Sequence, residues 1–494
     1  MIRTRICLYV LLLTPLVVYW QTIFHEYGFR DDYAHMREAR EEPGKLVRFT
    51  ASQGRPLDGA LLETSFTAAS EVDRLPWLRL TSVILLSLLA LALWRQLFQS
   101  GWTEIEAAVI GLGIVLLPAG QIVVSWAVCW PHVLALLLAV AGFSAIETEL
   151  ERGGLKRLVA LLGGGMIYCL AGLIYQSDAL FAVVPIAAVL LVRSGREPLT
   201  DTRWSLIHLL TLMTGLGISY LLVKMMFANG VFHESARMQL ETNLLTKLGW
   251  FLWMPVPNAL ALYLLRDTYY TGVVLFCAAA LLVGTVIGLG YHASVKQADA
   301  IARKKWLICF LVMPFLAHAA SLAAAERANG YRTLFGLSGL VLVLLVFALR
   351  TLRVAERIKP PVYYGGLGLV ILVGGLSAFH NPYALIAEPQ GEEWDLVHNA
   401  VMRTTFKAST KVYIITPQLA DRSTVRVFAD EFGSLSSDSD WVPKEMFKTA
   451  LRDRFGLKLP KGTDYTVESG ATEPAAKAYD IVIDMRKLKL LLRP

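Results

Sequence analysis

The chain carries little charge for its size. Only 18% of its 494 residues are Asp, Glu, Lys or Arg, whereas soluble domains carry roughly a quarter. That shortage argues against the row of about three soluble domains that length alone suggests. Cysteine is scarce as well. Cys7, Cys129, Cys169, Cys277 and Cys309 all lie in or beside apolar segments, and none falls in the polar C-terminal tail. A secreted domain stapled by disulfides does not fit that distribution. No CxxC pair or Cys/His cluster suggests zinc. No Asp-x-Asp motif within a nucleotide-sugar domain suggests nucleotide binding. No internal repeat is visible, which weighs against inverted-repeat transporter folds.

Apolar sequence is what the chain has in quantity. It is 55% hydrophobic with a mean hydropathy of +0.50, and several runs exceed the roughly 18 to 20 residues that cross a bilayer as helix. The net charge of +7 does not point to nucleic acid. The basic residues sit in short loops between apolar runs, where the positive-inside rule puts them. Met1 to Arg5 is basic and opens an apolar run to Phe24. That run is long for a signal sequence and lacks a small-x-small cleavage site, so it reads as an uncleaved first span.

Candidate spans are 6–24, 77–98, 105–120, 131–147, 157–174, 178–193, 204–227, 271–291, 306–323, 331–350 and 361–380. The run 248–265, with Trp250, Trp253, Pro255 and Pro257, is ambiguous. Leaving it out places Arg152, Lys156 and Arg157, then Arg193, Arg196 and Arg203, then Lys296 to Lys305, then Arg350, Arg353, Arg357 and Lys359 all inside. The expected fold is an all-α polytopic membrane protein of about 11 transmembrane helices. Its N-terminus is cytoplasmic, and 248–265 is interfacial or re-entrant.

This topology divides the chain into a membrane domain, 1–380, and a C-terminal extracytoplasmic domain, 381–494. The first outer loop, 25–76, shows helical patterning over two stretches, one at Tyr33, Met36, Ala39 and then Leu46, Val47 and Phe49, the other from Leu57 to Leu75 with apolar residues at Leu57, Leu61, Leu62 and Phe66. Those stretches read as helices lying along the membrane surface. In the tail, Val412 to Thr416 and Asp480 to Asp484 read as strands and Lys444 to Phe455 as a helix, which together make a small α+β domain.

Four features of the outer side carry chemistry. Asp31-Asp32 follows the first span by about seven residues. Adjacent carboxylates beside an apolar boundary suit a general base and its helper; the plainer account is a solvated pair capping the helix that starts near Tyr33. Gln53-Gly54-Arg55-Pro56 reads as a turn with Pro56 opening a helix. Arg55 there presents donors suited to a phosphate or sugar hydroxyls. Tyr175, Gln176 and Asp178 lie at the outer end of 157–174, either as a polar site or as an interfacial tyrosine with a helix cap at Ser177 or Asp178. Glu326, Arg327 and Arg332 lie in an outer loop, against the positive-inside trend, so the arginines serve an anionic lipid phosphate or pair with Glu326. His132, His318 and His380 are scattered singly and read as packed residues.

Gly28-Phe-Arg-Asp-Asp-Tyr33, then Gly54 to Leu57, then Tyr175-Gln176, all on one membrane side, resemble the bacterial glucosyltransferase family that decorates O-antigen in serotype conversion. That family is similar in turn to the wider GT-C class of polyprenyl-phosphate-sugar-dependent glycosyltransferases. The resemblance is best over the first 200 or so residues. The tail matches loosely, through Asp430 to Gly433 and Trp441, and no role follows there.

The resemblance implies transfer of a single sugar from a polyprenyl-phosphate donor to a glycan or lipid-linked acceptor outside the cytoplasm, in a bacterial inner membrane. It places the catalytic acid in the first outer loop, at Asp31 or Asp32. Substrate-binding positions are Tyr33, Gln53, Arg55, Tyr175, Gln176, Asp178, Arg327 and Arg332. The physics is compatible: a lipid-linked donor crosses a membrane that a nucleotide sugar does not, and arginines stabilise a departing phosphate. Asp31-Asp32 offers the oxygen ligands a divalent cation takes, but nothing else in the chain calls for a cofactor. Membrane lipids surround the spans. Three other readings stay open: a polysaccharide polymerase or ligase, a transporter or flippase of lipid-linked sugars, and an assembly protein. Transport is disfavoured because span interiors are almost free of charge, with Lys224 near an end.

Overall fold

The computed structural model describes residues 2–152, 154–193, 200–267, 270–297, 300–328, 330–417, 428, 431–456, 462–475 and 477–488. Arg196 and Asp430 lie outside the described residues. Among those described, seven helices are long and apolar enough to cross a membrane: Val72–Gln99, Ala127–Leu150, Gly154–Ile174, Asp201–Ala228, Tyr270–Lys296, Tyr331–Val354 and Pro360–Arg403. A bent pair, Glu104–Val115 and Pro118–Ser125, makes an eighth if it counts as one span; its two halves meet at 49°. By length and composition the chain is a multi-pass helical membrane protein.

The remaining predicted spans fall on shorter or broken helices. Thr4–Val18 and Gln176–Val192 are apolar but short. The run 306–323 is interrupted by a π turn at Ile308–Val312 and by a break at His318, with Pro314 removing a backbone donor between them. The ambiguous run 248–265 contains parts of two short helices, Leu244–Trp253 and Pro255–Leu260, which meet at Met254. Neither approaches a bilayer's thickness, and Pro255 accounts for the interruption.

Local signals set the ends of the long helices. Thr103 opens Glu104–Val115 with a reciprocal cap: its hydroxyl accepts from the Glu106 amide at 3.3 Å, and the Glu106 carboxylate accepts from the Thr103 amide at 2.8 Å. Small residues then let helices approach closely. A methyl on Gly215 would come 2.6 Å from the Gly165 carbonyl oxygen, and one on Gly111 would come 2.6 Å from that of Ala90.

The tail carries a three-stranded parallel sheet among the described residues, in the order β2-β1-β3, with β1 at Thr410–Ile415, β2 at Tyr465–Gly470 and β3 at Ile481–Asp484. Val412 pairs with Val467 on one side and Ile481 on the other. Helix Val442–Phe455 crosses over between β1 and β2. The boundary expected near 380 falls inside continuous helix, because Pro360–Pro382 runs through a π turn at Tyr383–Ala387 into Glu388–Arg403.

The first loop folds as three helices, Asp31–Glu41, Lys45–Ser52 and Pro56–Ala68. Protein covers one face of them. Tyr33, Met36, Ala39, Leu46, Leu62 and Phe66 share one hydrophobic core with Trp394, Val397, Val412, Ile414, Met446 and Phe447 of the tail. The tail offers an apolar face that water-exposed helices would otherwise lack. Fully burying Met36 and Phe66 contributes about 1.5–3 kcal/mol per side chain. Loop and tail therefore stand on the same side of the helical bundle, and the helices' interhelical turns below them hold the site.

Candidate active site

The first element of the site is a strained turn. Arg30 precedes helix Asp31–Glu41 with φ +46° and ψ −105°, a conformation that costs a side-chain-bearing residue of order 1–3 kcal/mol. Asp32 holds the turn from within. Its Oδ2 accepts from the Phe29 amide at 2.9 Å and its Oδ1 from the Val128 amide at 3.1 Å. Burial pushes its carboxyl up to about 7, opposed by the two amides and by the Arg79 guanidinium. Asp31 is only half-buried, and its charge is felt by Arg332 and by His35. The two carboxylates thus separate into a buried structural cap and an accessible neighbour. Tyr33 is fully buried; its hydroxyl accepts from the Gly28 amide at 3.2 Å and its ring stacks on Trp394 at 5.7 Å.

The second element is the turn at Gln53-Gly54-Arg55. Gly54 has φ +81°, the left-handed region glycine enters without a steric penalty, and Pro56 starts the next helix. Gln176 donates from Nε2 to the Gly54 carbonyl at 2.7 Å, which ties two of the predicted stretches together. The Arg55 guanidinium lies over the Tyr175 ring at 5.1 Å and 3.9 Å from Asp58 Oδ2. Gln53 Oε1 accepts from Arg55 and, at 3.2 Å, from Arg237.

Beneath these, Tyr175 packs on His132 with ring centroids 4.1 Å apart, and His132 Nδ1 is 2.8 Å from Asp178 Oδ2. Asp178 and His132 are buried. The Arg332 guanidinium lies over the Trp126 ring at 4.6 Å, with Nε 3.9 Å from Glu431 Oε1. Asp58 senses Arg55, His132, Asp178 and Arg332 together, and its buried carboxyl is raised by desolvation. Contacts thus join Asp58, Arg55, Tyr175, His132 and Asp178 in one chain, while Arg332 acts on Asp58 and Asp31 on Arg332 through space.

Most of the predicted residues converge here: Asp31, Asp32, Gln53, Arg55, Tyr175, Gln176, Asp178 and Arg332. Arg327 is engaged elsewhere. It is 43% exposed and donates to Glu241 at 3.3 Å. Glu326, expected as a partner of these arginines, instead pairs with Arg237 at 3.8 Å. Asp58, Trp126, Glu431 and His132 join the site without having been singled out for it. Asp58 had a signal in its place three residues after Arg55, within ion-pair reach on a helix. The other three are brought in by tertiary packing.

Each arginine is backed by an aromatic face and lies beside a carboxylate, Arg55 by Asp58 and Arg332 by Glu431; a planar guanidinium of this kind is suited to oxyanions. A divalent cation fits the carboxylates less well. Both Asp32 oxygens accept amide hydrogens, and among the described residues no group of three or more His, Cys, Asp or Glu is placed to hold a metal. A cavity of about 430 Å³ opens between helices Tyr270–Gln297 and Pro360–Pro382, and none of the site residues lines it. Leu264, Leu275, Phe276, Val373 and Leu376 form its apolar wall, with Asp267, Ser377, His380 and Asn381 as polar members. No protein-family model matches this chain, and no curated protein matches it.

Proposed function

We propose that the protein is an integral membrane glycosyltransferase that moves one sugar from a polyprenyl-phosphate donor to a glycan or lipid-linked acceptor. The observation that carries this reading is a pair of aromatic-backed guanidiniums, Arg55 and Arg332, at the end of a helical membrane bundle that also carries the half-buried carboxylate Asp31. Arg55 and Arg332 bind the donor phosphate and take up the charge that grows on it as the glycosidic bond breaks. Asp31 removes the acceptor's hydroxyl proton as that oxygen attacks the sugar carbon. Asp32 holds the turn that carries Asp31 and takes no proton from substrate. The cavity beside Tyr263 and Phe428 offers an apolar wall, Leu264, Leu275, Phe276, Val373 and Leu376, on which a hydrocarbon chain can lie.

The site faces the extracytoplasmic side in this account. Counting the bent pair, the two short apolar helices and the broken helix as crossings gives eleven, which puts the N-terminus and the tail on opposite sides. Arg152, Lys156, Arg157, Arg203, Lys304, Lys305, Arg353 and Arg357 then lie at the cytoplasmic end. The resemblance to serotype-converting glucosyltransferases points the same way. The reading routes no step through a cation. The test is transfer of labelled sugar from a polyprenyl-phosphate sugar by the purified protein, with Arg55→Ala and Arg332→Ala each expected to raise the donor KM. Unchanged donor affinity in both would remove the phosphate role.

A further inference from the structure

The tail holds the catalytic turn from outside. We propose that its segment 431–437 is a positioning clamp that sets Asp31 and Arg332 relative to each other, so that the tail is an integral part of the active centre. The proposal rests on the enzymatic reading above.

One end of the segment grips the turn before Asp31. The Arg30 amide donates to Ser436 Oγ at 2.9 Å, and Arg30 Nη2 donates to Ser434 Oγ at 2.9 Å. These bonds hold the residue whose backbone sits at φ +46°. A strained conformation persists only where its surroundings over-determine it. Ser436 is itself fixed. Its amide donates to Glu393 Oε2 at 2.8 Å, and its hydroxyl donates to Gln390 Oε1 at 2.5 Å. Gln390 returns a bond from Nε2 to the Ser434 carbonyl at 2.7 Å, and Glu393 also accepts from the Ser437 amide at 3.1 Å. Gln390, Glu393 and Ser436 are fully buried, and helix Glu388–Arg403, which carries the first two, continues the last membrane helix.

The other end grips the arginine. Glu431, fully buried, accepts from the Tyr331 amide at 2.8 Å and lies 3.9 Å from Arg332 Nε. The fit is close enough that a methyl group at Gly330 would collide with the Glu431 carboxylate. Burying a carboxylate is costly unless charge and hydrogen bonds compensate it, and Glu431 meets that condition against Arg332. One segment of seven residues thus touches the neighbours of the proposed base and of the phosphate ligand, which lie some three hundred residues apart in sequence. A shift of about 1 Å in either would cost on the order of a hundredfold in rate.

The clamp predicts a split that a merely structural role would not give. With sugar transfer measured on the full-length protein, Ser436→Ala lowers kcat about tenfold while donor KM stays within about twofold, because the base is displaced and the phosphate ligand is not. Glu431→Gln, which keeps an acceptor for Tyr331 but loses the charge beside Arg332, raises donor KM about tenfold with kcat little changed. Arg30→Lys, at a half-buried position, weakens the tie to Ser434 and lowers kcat in the same sense; it carries the test if Ser436→Ala does not fold. Wild-type kinetics in all three variants would overturn the clamp while leaving the Asp31 reading standing. So would parallel losses of kcat and thermal stability with no split between the parameters. A wild-type protein that transfers no sugar would bring down the enzymatic reading and the clamp with it.

Discussion

Asp31 and Asp32 are chemically identical neighbours, and their surroundings make them different. Asp32 gives both oxygens to backbone amides and is buried; Asp31 stays half-buried beside the charge of Arg332. Asp31→Asn is therefore expected to lower transfer by about 10²–10⁴-fold, the usual span for a lost general base, with little change in melting temperature. Asp32 makes a different prediction. Its folded carboxyl, at about 7, lies above the ordinary value of 3.8. A raised carboxyl contributes stability at low pH and loses it as the pH climbs through the folded value. The melting advantage of the wild type over Asp32→Asn should shrink between about pH 4 and pH 7. A constant difference across that window would contradict the assignment. For the arginines, Arg55→Lys and Arg332→Lys keep the charge but lose the planar fork that lies over Tyr175 and Trp126. Each should lower kcat/KM for the donor about tenfold or more. The sequence showed these side chains because polar residues are rare beside apolar spans. It offered the pair as a solvated helix cap but did not show that Asp32 is buried and also accepts from Val128, because Val128 is ninety-six positions away.

At the scale of elements, the site rests on turns that other residues cannot make. Gly54 sits at φ +81°, and a Cβ added there would come 2.7 Å from Met238 Sδ. Gly54→Ala is expected to cost about 1 kcal/mol from the backbone alone, and to loosen Arg55 through the bond from Gln176. Thermal unfolding and donor KM together would show both effects. The long spans were legible because hydropathy is a sum over some twenty residues and survives local irregularity. The helices Glu104–Val115 and Pro118–Ser125 read as a single run because their bend is made by Pro118 and by packing, neither of which lowers hydropathy. Strand β2 went unread: Tyr465 and Val467 alternate with Thr466 and Glu468, too short a pattern to stand out from loop. The helical character of the first loop was legible, as two stretches where three helices form, but their partner was not. An apolar stripe reveals that it is buried and leaves open whether lipid or protein covers it.

The whole molecule is a helical bundle whose polar work is done at one end, under a tail that shares a core with the first loop. Titratable groups of the site, such as His132, Asp178 and Arg332, lie in the first turns of their helices rather than in the span interiors. The arrangement explains why no role for Glu431 or Ser436 was legible in the sequence. Glu431 falls in the loosely matching stretch Asp430 to Gly433, but its contacts and those of Ser436 exist only once residues 30 and 332 are brought to the tail. The topology makes its own prediction. A cysteine placed in the tail, for instance Lys411→Cys at an exposed position, should react with a membrane-impermeant thiol reagent on intact cells, whereas labelling only after the membrane is opened would reverse the orientation. The most direct test of the account is sugar transfer from a radiolabelled polyprenyl-phosphate sugar by purified wild-type protein beside Asp31→Asn and Asp32→Asn. The account predicts transfer by the wild type, its collapse in Asp31→Asn, and a smaller loss in Asp32→Asn that follows stability; no transfer by folded wild-type protein, or full activity in Asp31→Asn, would contradict it.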